Sequence, residues 1–466
     1  MDHQKICNLT FEQLHNAYLK KELSPVEVTG AYLQMIAEKN PGLNGYANVV
    51  KEHAMKRAEQ SEKRYAEGMP ISALDGIPYA VKDLIETEGI RTCFGSEIYK
   101  DYIPKKNARI VEILDQKGMI LLGKANTHQF AMGVTTDCQF PGVTRNPYNR
   151  DHCCGGSSGG SACVLAENMA PAALGTDTGG SIRIPSSYCG VVGMKPTYGS
   201  VSAVGIMPLS YSLDHVGPMT RSVKENAMLL NAMVEYDAEY DKSIRREKED
   251  FARYIGEPVK GLKVGILEDY VEHGDPIQEG VLDGYHLGLK RLLDLGAKLV
   301  PIKTPDRMSD YRMAHKQILA AEAHQIHRDD LKNHRELIDP SVLPRLLAAE
   351  MSADDFITLQ RLQAEFRKVS REIYENVDLI ALPSTAITAS KVRNPLIEVN
   401  GQELPIWELA THFTWMGDLN GYPAISIPIS FADGLPVGFQ IMGKPLEEAR
   451  IYQVAAWIES MASICN

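Results

Sequence analysis

Residues 76–85 read GIPYAVKDLI, residues 118–123 GMILLG and residues 189–195 CGVVGMK. Each is a short apolar run bounded by glycine or by a charged side chain, the form a fully buried strand takes. Between them lie NARIVEILDQK (107–117) and SACVLAENMAPAAL (161–174), which read as helices. Strand-like and helix-like runs in alternation predict an α/β sheet protein with helices on both faces.

The N-terminal quarter predicts helices. Thr10 with Gln13 makes one capping box, and Ser24-Pro25-Val26-Glu27 makes a second, with proline at the first helical position. Beyond the central runs, residues 236–260 (YDAEYDKSIRREKEDFARYIGEPVK) are charge-dense and read as a solvated excursion between two halves. A strand follows in KVGILE (263–268). Residues 307–376 are helical in period and rich in His, Arg and Glu, which fits a cap over a site or, on sequence alone, an outer layer. The sheet resumes with VDLIALP (377–383), AISIPIS (424–430) and PVGFQIMG (436–443).

The chain has 466 residues, 44% of them hydrophobic, which suffices for a sizeable core. Acidic residues outnumber basic ones, 60 to 49, for a net charge of −11. No Lys/Arg run relieves that charge, which argues against a nucleic acid as a direct partner. The eight cysteines (7, 93, 138, 153, 154, 163, 189 and 465) contain no C-x-x-C pair, which argues against a disulfide framework or a zinc ribbon. The opening MDHQKICNLTFEQL lacks the basic and apolar regions of a signal peptide, and no run reaches the ~18 apolar residues of a membrane span. The expectation is a soluble, reduced, cytoplasmic protein.

Three motifs offer chemistry that their context does not support. Gly118 to Ala125 nearly spells a phosphate-binding loop, but position 125 is alanine and the interior MILL reads as a strand. His324 and His327, with Glu322 and Asp329 nearby, lack a clear third ligand and fit a solvated helix face, so no metal is expected. Gly155 to Gly159 matches G-x-S-x-G, yet its lead-in NPYNRDHCC is turn-like, not the apolar strand a nucleophile elbow needs.

A fourth pattern is harder to set aside. GGSSGGSA (155–162) runs straight into an apolar helical stretch and is followed by GTDTGGSIRIP (175–185). Consecutive N–H groups at Thr178, Gly179, Gly180 and Ser181 would converge on an anion, as an oxyanion hole requires. A serine nucleophile still needs a base, and no histidine lies in either cluster. Lys82 fits that role: burial in its apolar run would favour the neutral amine. The plain alternative is a lysine that emerges at a strand end beside Asp83.

These residues resemble the amidase signature enzymes. The likeness runs from about residue 24 to 460 and is densest in LDGIPYAVKDLI (74–85), GKANTHQFAMG (123–133), TRNPYN (144–149), GGSSGGSA, 175–199 and SLDHVGPMTRSV (212–223). PAISIP (423–428) and GLPVGFQIMGK (434–444) match as well. The resemblance implies a single α/β/α sandwich around a large mixed sheet, with residues 307–376 on the substrate side. It implies a Ser–cis-Ser–Lys triad on Lys82, Ser157 and Ser181, without metal or cofactor. Ser181 would form the acyl-enzyme, Ser157 would relay protons to Lys82, and the N–H groups of residues 178–181 would hold the oxyanion. Ala131 and Met132 would line the acyl pocket, while Arg183 would brace the loop. The expected partner is a small-molecule amide, and a homodimer is compatible with the family. Two readings of the function stay open. A stand-alone amidohydrolase is favoured over the glutaminase subunit of a glutamine-dependent tRNA amidotransferase. That subunit carries an acidic residue twelve positions before a proline equivalent to Pro423, and here Thr411 stands there; Arg345 is the candidate for a glutamine carboxylate.

Overall fold

Pro78–Lys82 is a strand in which every residue is buried, and a strand covered on both faces needs apolar residues at every position, not at alternate ones. The computed structural model, which describes residues 2–461, places it in one large sheet. The strands are β1 (Tyr46–Val49), β2 (Pro78–Lys82), β3 (Ile120–Ala125), β4 (Ala172–Asp177), β5 (Val192–Lys195), β6 (His215–Thr220), β7 (Lys263–Ile266), β8 (Lys298–Pro301), β9 (Leu379–Pro383), β10 (Leu396–Val399), β11 (Gln402–Pro405), β12 (Ala424–Ala432) and β13 (Leu435–Gly443). Eleven of them form the sheet, in the order β1-β3-β2-β4-β6-β5-β12-β13-β9-β7-β8, while β10 and β11 make a separate hairpin.

The sheet is mixed. β2 runs parallel to β3 and β4, and β7 runs parallel to β8 and β9. The pairs β4–β6, β5–β6, β5–β12, β12–β13 and β9–β13 are antiparallel. Alternate residues of β13 show the two covered faces. Val437 and Phe439 meet Gly284 and Gly288 of the helix Glu279–Asp294, whereas Gly438 faces Ser187 of the helix Arg183–Cys189. The fold is therefore the expected helix–sheet–helix sandwich.

Both predicted capping boxes form, Thr10 with Gln13 and Ser24 with Glu27. Two local expectations change and one gains detail. Residues 161–174 are not one helix: the helix Gly159–Ala166 ends before Asn168, which takes positive φ, and after Pro171, which has no N–H to give, β4 begins. The charged segment 236–260 forms no helix or strand, yet it is anchored by buried Phe251 and by Arg246, which pairs with Glu448 and Glu249. Residues 307–376 do more than cover the outside. They hold the helices Met308–Ile326, Arg328–Asn333, Leu343–Leu347 and Ala353–Tyr374, and His315 of the first reaches the loop after β4.

The seven described cysteines are buried and free, and Cys465 lies outside the described residues. Among the described residues no helix is long and apolar enough to cross a membrane.

Candidate active site

Because β2 and β4 are parallel neighbours (Ala80 opposite Ala173, Val81 opposite Leu174), their carboxyl ends emerge together. Lys82 closes β2, and Thr176-Asp177 closes β4. Lys82 does not emerge at the strand end: it is wholly buried. Its Nζ donates to Ser157 Oγ at 2.6 Å and to Thr176 Oγ1 at 2.7 Å. Burial pushes the amine down to about 7, against the pull of Asp177 and Asp214.

Ser157 is positioned from its own backbone. The peptide bond before it is cis, and its carbonyl accepts from His128 N–H, Thr127 Oγ1 and Thr136 Oγ1. The next N–H, that of Ser158, donates to the Ser181 carbonyl at 3.2 Å and ties the two glycine–serine loops together. Ser181 Oγ itself makes no hydrogen bond among the described residues, to Ser157 or to any other group, and the residue is 7% exposed. The Lys82–Ser157 half of the expected triad is thus hydrogen-bonded, and the Ser157–Ser181 half is not.

The loop carrying Ser181 is held by Asp177. Asp177 Oδ1 accepts from Gly180 N–H at 2.6 Å and from Arg183 Nη2 at 2.9 Å, while Oδ2 accepts from Ile182 N–H and Arg183 Nε. Burial works to raise this carboxyl, but the Arg183 guanidinium and Lys195 hold it well below the usual range. Arg183 is itself buried and also reaches Asp418, Gln440 and the Thr414 carbonyl, so it braces the loop as expected. Gly180 departs from expectation. Its N–H turns inward to Asp177 and does not join an oxyanion hole, whereas those of Gly179 and Ser181 have no acceptor among the described residues. Gly180 has φ of +121°, and a Cβ there would lie 2.4 Å from Thr414 Oγ1, so glycine is required.

Two cavities border the QFAMG segment. One, of about 270 Å³, is lined by Ala131, Leu84, Thr176, Met207, Leu209 and Asp214 among others. Asp214 accepts from Thr178 Oγ1 at 2.6 Å and from the N–H groups of Leu209 and Ser210, and burial pushes it up to about 6. The other, of about 340 Å³, is lined by His128, Thr135, Asp137, Asp339, Ser341 and Arg345 among others. Ala131 therefore meets a cavity as expected. Met132 lines neither one; its carbonyl accepts from Arg345 Nη1 at 3.2 Å.

The three set-aside motifs take other places. Lys124 is buried and donates to the Ile85 carbonyl and to Thr87 Oγ1. His327 is not on a solvated face: it stacks on Phe130 at 3.9 Å and bonds Asp330, while His324 turns to the Leu346 carbonyl. The stretch before Ser157 forms no strand. Thr176 and Asp177 lay inside the GTDTGGS motif and could have been read there. Asp214 lay inside the SLDHVGPMTRSV match, with no role read for it there, whereas His315 carried no local signal, because its partner lies on a loop distant in sequence.

The sequence pattern of the Amidase family matches residues 27–452. A glutamyl-tRNA(Gln) amidotransferase subunit from Thermoanaerobacter pseudethanolicus is 35% identical, over 97% of this chain and 96% of that protein. Among solved structures, one from a vestigial protein complex bearing on the origins of an s-triazine catabolic enzyme superposes with a TM-score of 0.92. It has 29% identity and covers 97% of this chain and 99% of its own. A bacterial aryl acylamidase of the amidase signature enzymes gives a TM-score of 0.89 at 26% identity, over 97% of this chain and 96% of that one. A family match over nearly the whole chain, on a sheet with these neighbours, means that the protein belongs to the amidase signature family and is an enzyme of carbon–nitrogen bond hydrolysis.

Proposed function

We propose that this protein is an amidohydrolase that cleaves a carboxamide, or a related C–N acyl bond, through an acyl ester on Ser181. The observation that carries the reading is Lys82: buried, titrating near 7, and bonded to two hydroxyls but to no carboxylate. A neutral amine there donates to Thr176 and offers its lone pair to the Ser157 proton. Ser157 in turn takes the proton of Ser181, whose oxygen attacks the amide carbon. That transfer needs the Ser181 hydroxyl to rotate onto Ser157, a contact of the kind that tightens once substrate is bound. The N–H groups of Gly179 and Ser181 stabilise the tetrahedral oxyanion. The relay then runs backwards to protonate the leaving amine, and water attacks the ester with the same base.

The test is labelling of the purified chain with a fluorophosphonate. Modification of Ser181, together with loss of turnover in Ser181→Ala, is the expected result. Labelling elsewhere, or turnover retained by Ser181→Ala, overturns it.

Arg345 bears on the substrate. Its guanidinium lies over the Trp407 ring at 4.3 Å, borders the 340 Å³ cavity and makes no ion pair among the described residues. Burial pushes it down only to about 10, so it stays cationic. An amide whose acyl part ends in a carboxylate fits this group.

A second reading, the glutaminase subunit of a tRNA amidotransferase, is favoured by the 35% identity to such subunits. Thr411 weighs against it: its hydroxyl is spent on the Trp407 carbonyl at 2.8 Å, and it offers no charge to an α-ammonium group. Brisk hydrolysis of simple amides by the chain alone supports the first reading. Glutaminase activity that requires added subunits supports the second.

A further inference from the structure

The helix Met308–Ile326 lies against the loop that carries Ser181. His315 on that helix is 3% exposed, and its Nε2 stands 2.9 Å from the Thr178 carbonyl. A carbonyl only accepts, so Nε2 carries the hydrogen and donates it. A Cβ added to Gly179 would lie 3.0 Å from His315 Cε1 and 3.8 Å from Leu319 Cδ1, so the helix face sits directly on the glycine. Further along the same helix, Glu322 Oε2 accepts from the hydroxyls of Ser210 and Ser212 and from Ser212 N–H. That loop in turn supplies the Leu209 and Ser210 N–H groups that hold Asp214, the acceptor of the Thr178 hydroxyl. The helix thus grips Thr178 twice, at its carbonyl directly and at its side chain through Asp214.

A trans peptide group is planar, and its C=O and N–H point in opposite directions. Pinning the Thr178 carbonyl to His315 therefore turns the Gly179 N–H away from the helix. The next peptide obeys the same rule: Thr414 Oγ1 holds the Gly179 carbonyl at 2.6 Å, and the Gly180 N–H accordingly points to Asp177. The two residues split the loop's donors, one to the structure and one left free.

We propose that His315 is a positioning residue that aims the Gly179 N–H at the oxyanion formed on the substrate carbonyl, with Glu322 steadying Thr178 indirectly, through the Ser210–Ser212 loop and Asp214. This inference rests on Ser181 being the nucleophile. The imidazole is suited to the task, since burial holds it down to about 4 and it remains a neutral donor at physiological pH.

The experiment measures second-order labelling of Ser181 by a fluorophosphonate and hydrolysis of a simple aryl amide, in the full chain. His315→Ala is expected to slow labelling and kcat by about 10- to 100-fold, somewhat less than the outright loss of an oxyanion donor. KM stays near that of the parent, while the thermal midpoint falls because the buried Thr178 carbonyl loses its donor. His315→Gln, which keeps a donor, is expected to regain most of the loss; a general packing defect would not be rescued in this way. Parent-like labelling of folded His315→Ala, or a glutamine variant as slow as the alanine one, overturns the inference while an inert Ser181→Ala leaves the nucleophile standing. An active Ser181→Ala overturns both. Should His315→Ala fail to fold, Glu322→Gln takes its place: a drop in kcat at constant KM is expected, and an unchanged kcat refutes the clamp.

Discussion

Two lysines end up buried side by side in this sheet, and they do different things. Lys82 closes β2, and Lys124 lies on β3, its parallel neighbour, directly opposite Val81. Burial lowers both amines, Lys82 to about 7 and Lys124 to about 8. Lys82 meets two hydroxyls, whereas Lys124 meets the Ile85 carbonyl, Thr87 Oγ1 and the field of the Asp83 carboxylate. The Ile85 carbonyl has no proton to give and the Thr87 hydroxyl donates its own to that same carbonyl, so Lys124 is satisfied but leads nowhere. The Ser157 hydroxyl can give one up, and Ser157 sits beside a second serine loop. Desolvation makes an amine available as a base, and the neighbour it touches decides whether that base is used.

The sharpest way to break this comparison is to remove each lysine in turn. Lys82→Met is expected to lower kcat by about 10²- to 10⁴-fold, as loss of a general base does, in a chain that still folds. Lys124→Met is expected to do the reverse. It strands the Ile85 carbonyl and the Thr87 hydroxyl, which costs about 1–3 kcal/mol in denaturant unfolding, and turnover per folded molecule stays within about tenfold. A folded Lys124→Met without activity would end the distinction.

The rate profile sharpens it further. Only the neutral Lys82 amine accepts a proton, so kcat/KM should rise with pH through about 7 on a single ionisation and then level off. A profile flat from pH 6 to 9 would mean that another group is the base. The smallest effect is expected from Thr176→Val. The Thr176 hydroxyl accepts from the lysine and favours its charged form, so its loss should move the midpoint of that rise to lower pH by less than about one unit. A move to higher pH would show that the hydroxyl serves the neutral amine instead.

Much of this site was legible in the primary structure. The apolar runs around residues 76–85 and 436–443 are strands because a sheet covered on both faces has no place for alternating polar residues. The caps at Thr10 and Ser24, the burial of Lys82 and the two glycine–serine clusters were equally readable, since each rests on a few neighbouring residues. Residues 161–174 misled because alanine is at home both in a helix and in the tightly packed centre of a sheet, and the break lay in the turn at Asn168 and Pro171. The charge of residues 236–260 marked a solvated excursion but could not show how it is anchored, because composition reports the side chains, not the partners that Arg246 and Phe251 find.

By itself, the order of residues determined which side chains were available for catalysis and which stretches had to be buried, because hydrophobic burial and local capping act over a turn or a strand. Only the tertiary structure decided that β2 and β4 run side by side, that the Gly180 N–H goes to Asp177, and that His315 closes over Thr178. The physical reason is that the direction of a donor or a lone pair is set by whichever acceptor lies across the fold. No local preference of the chain encodes that.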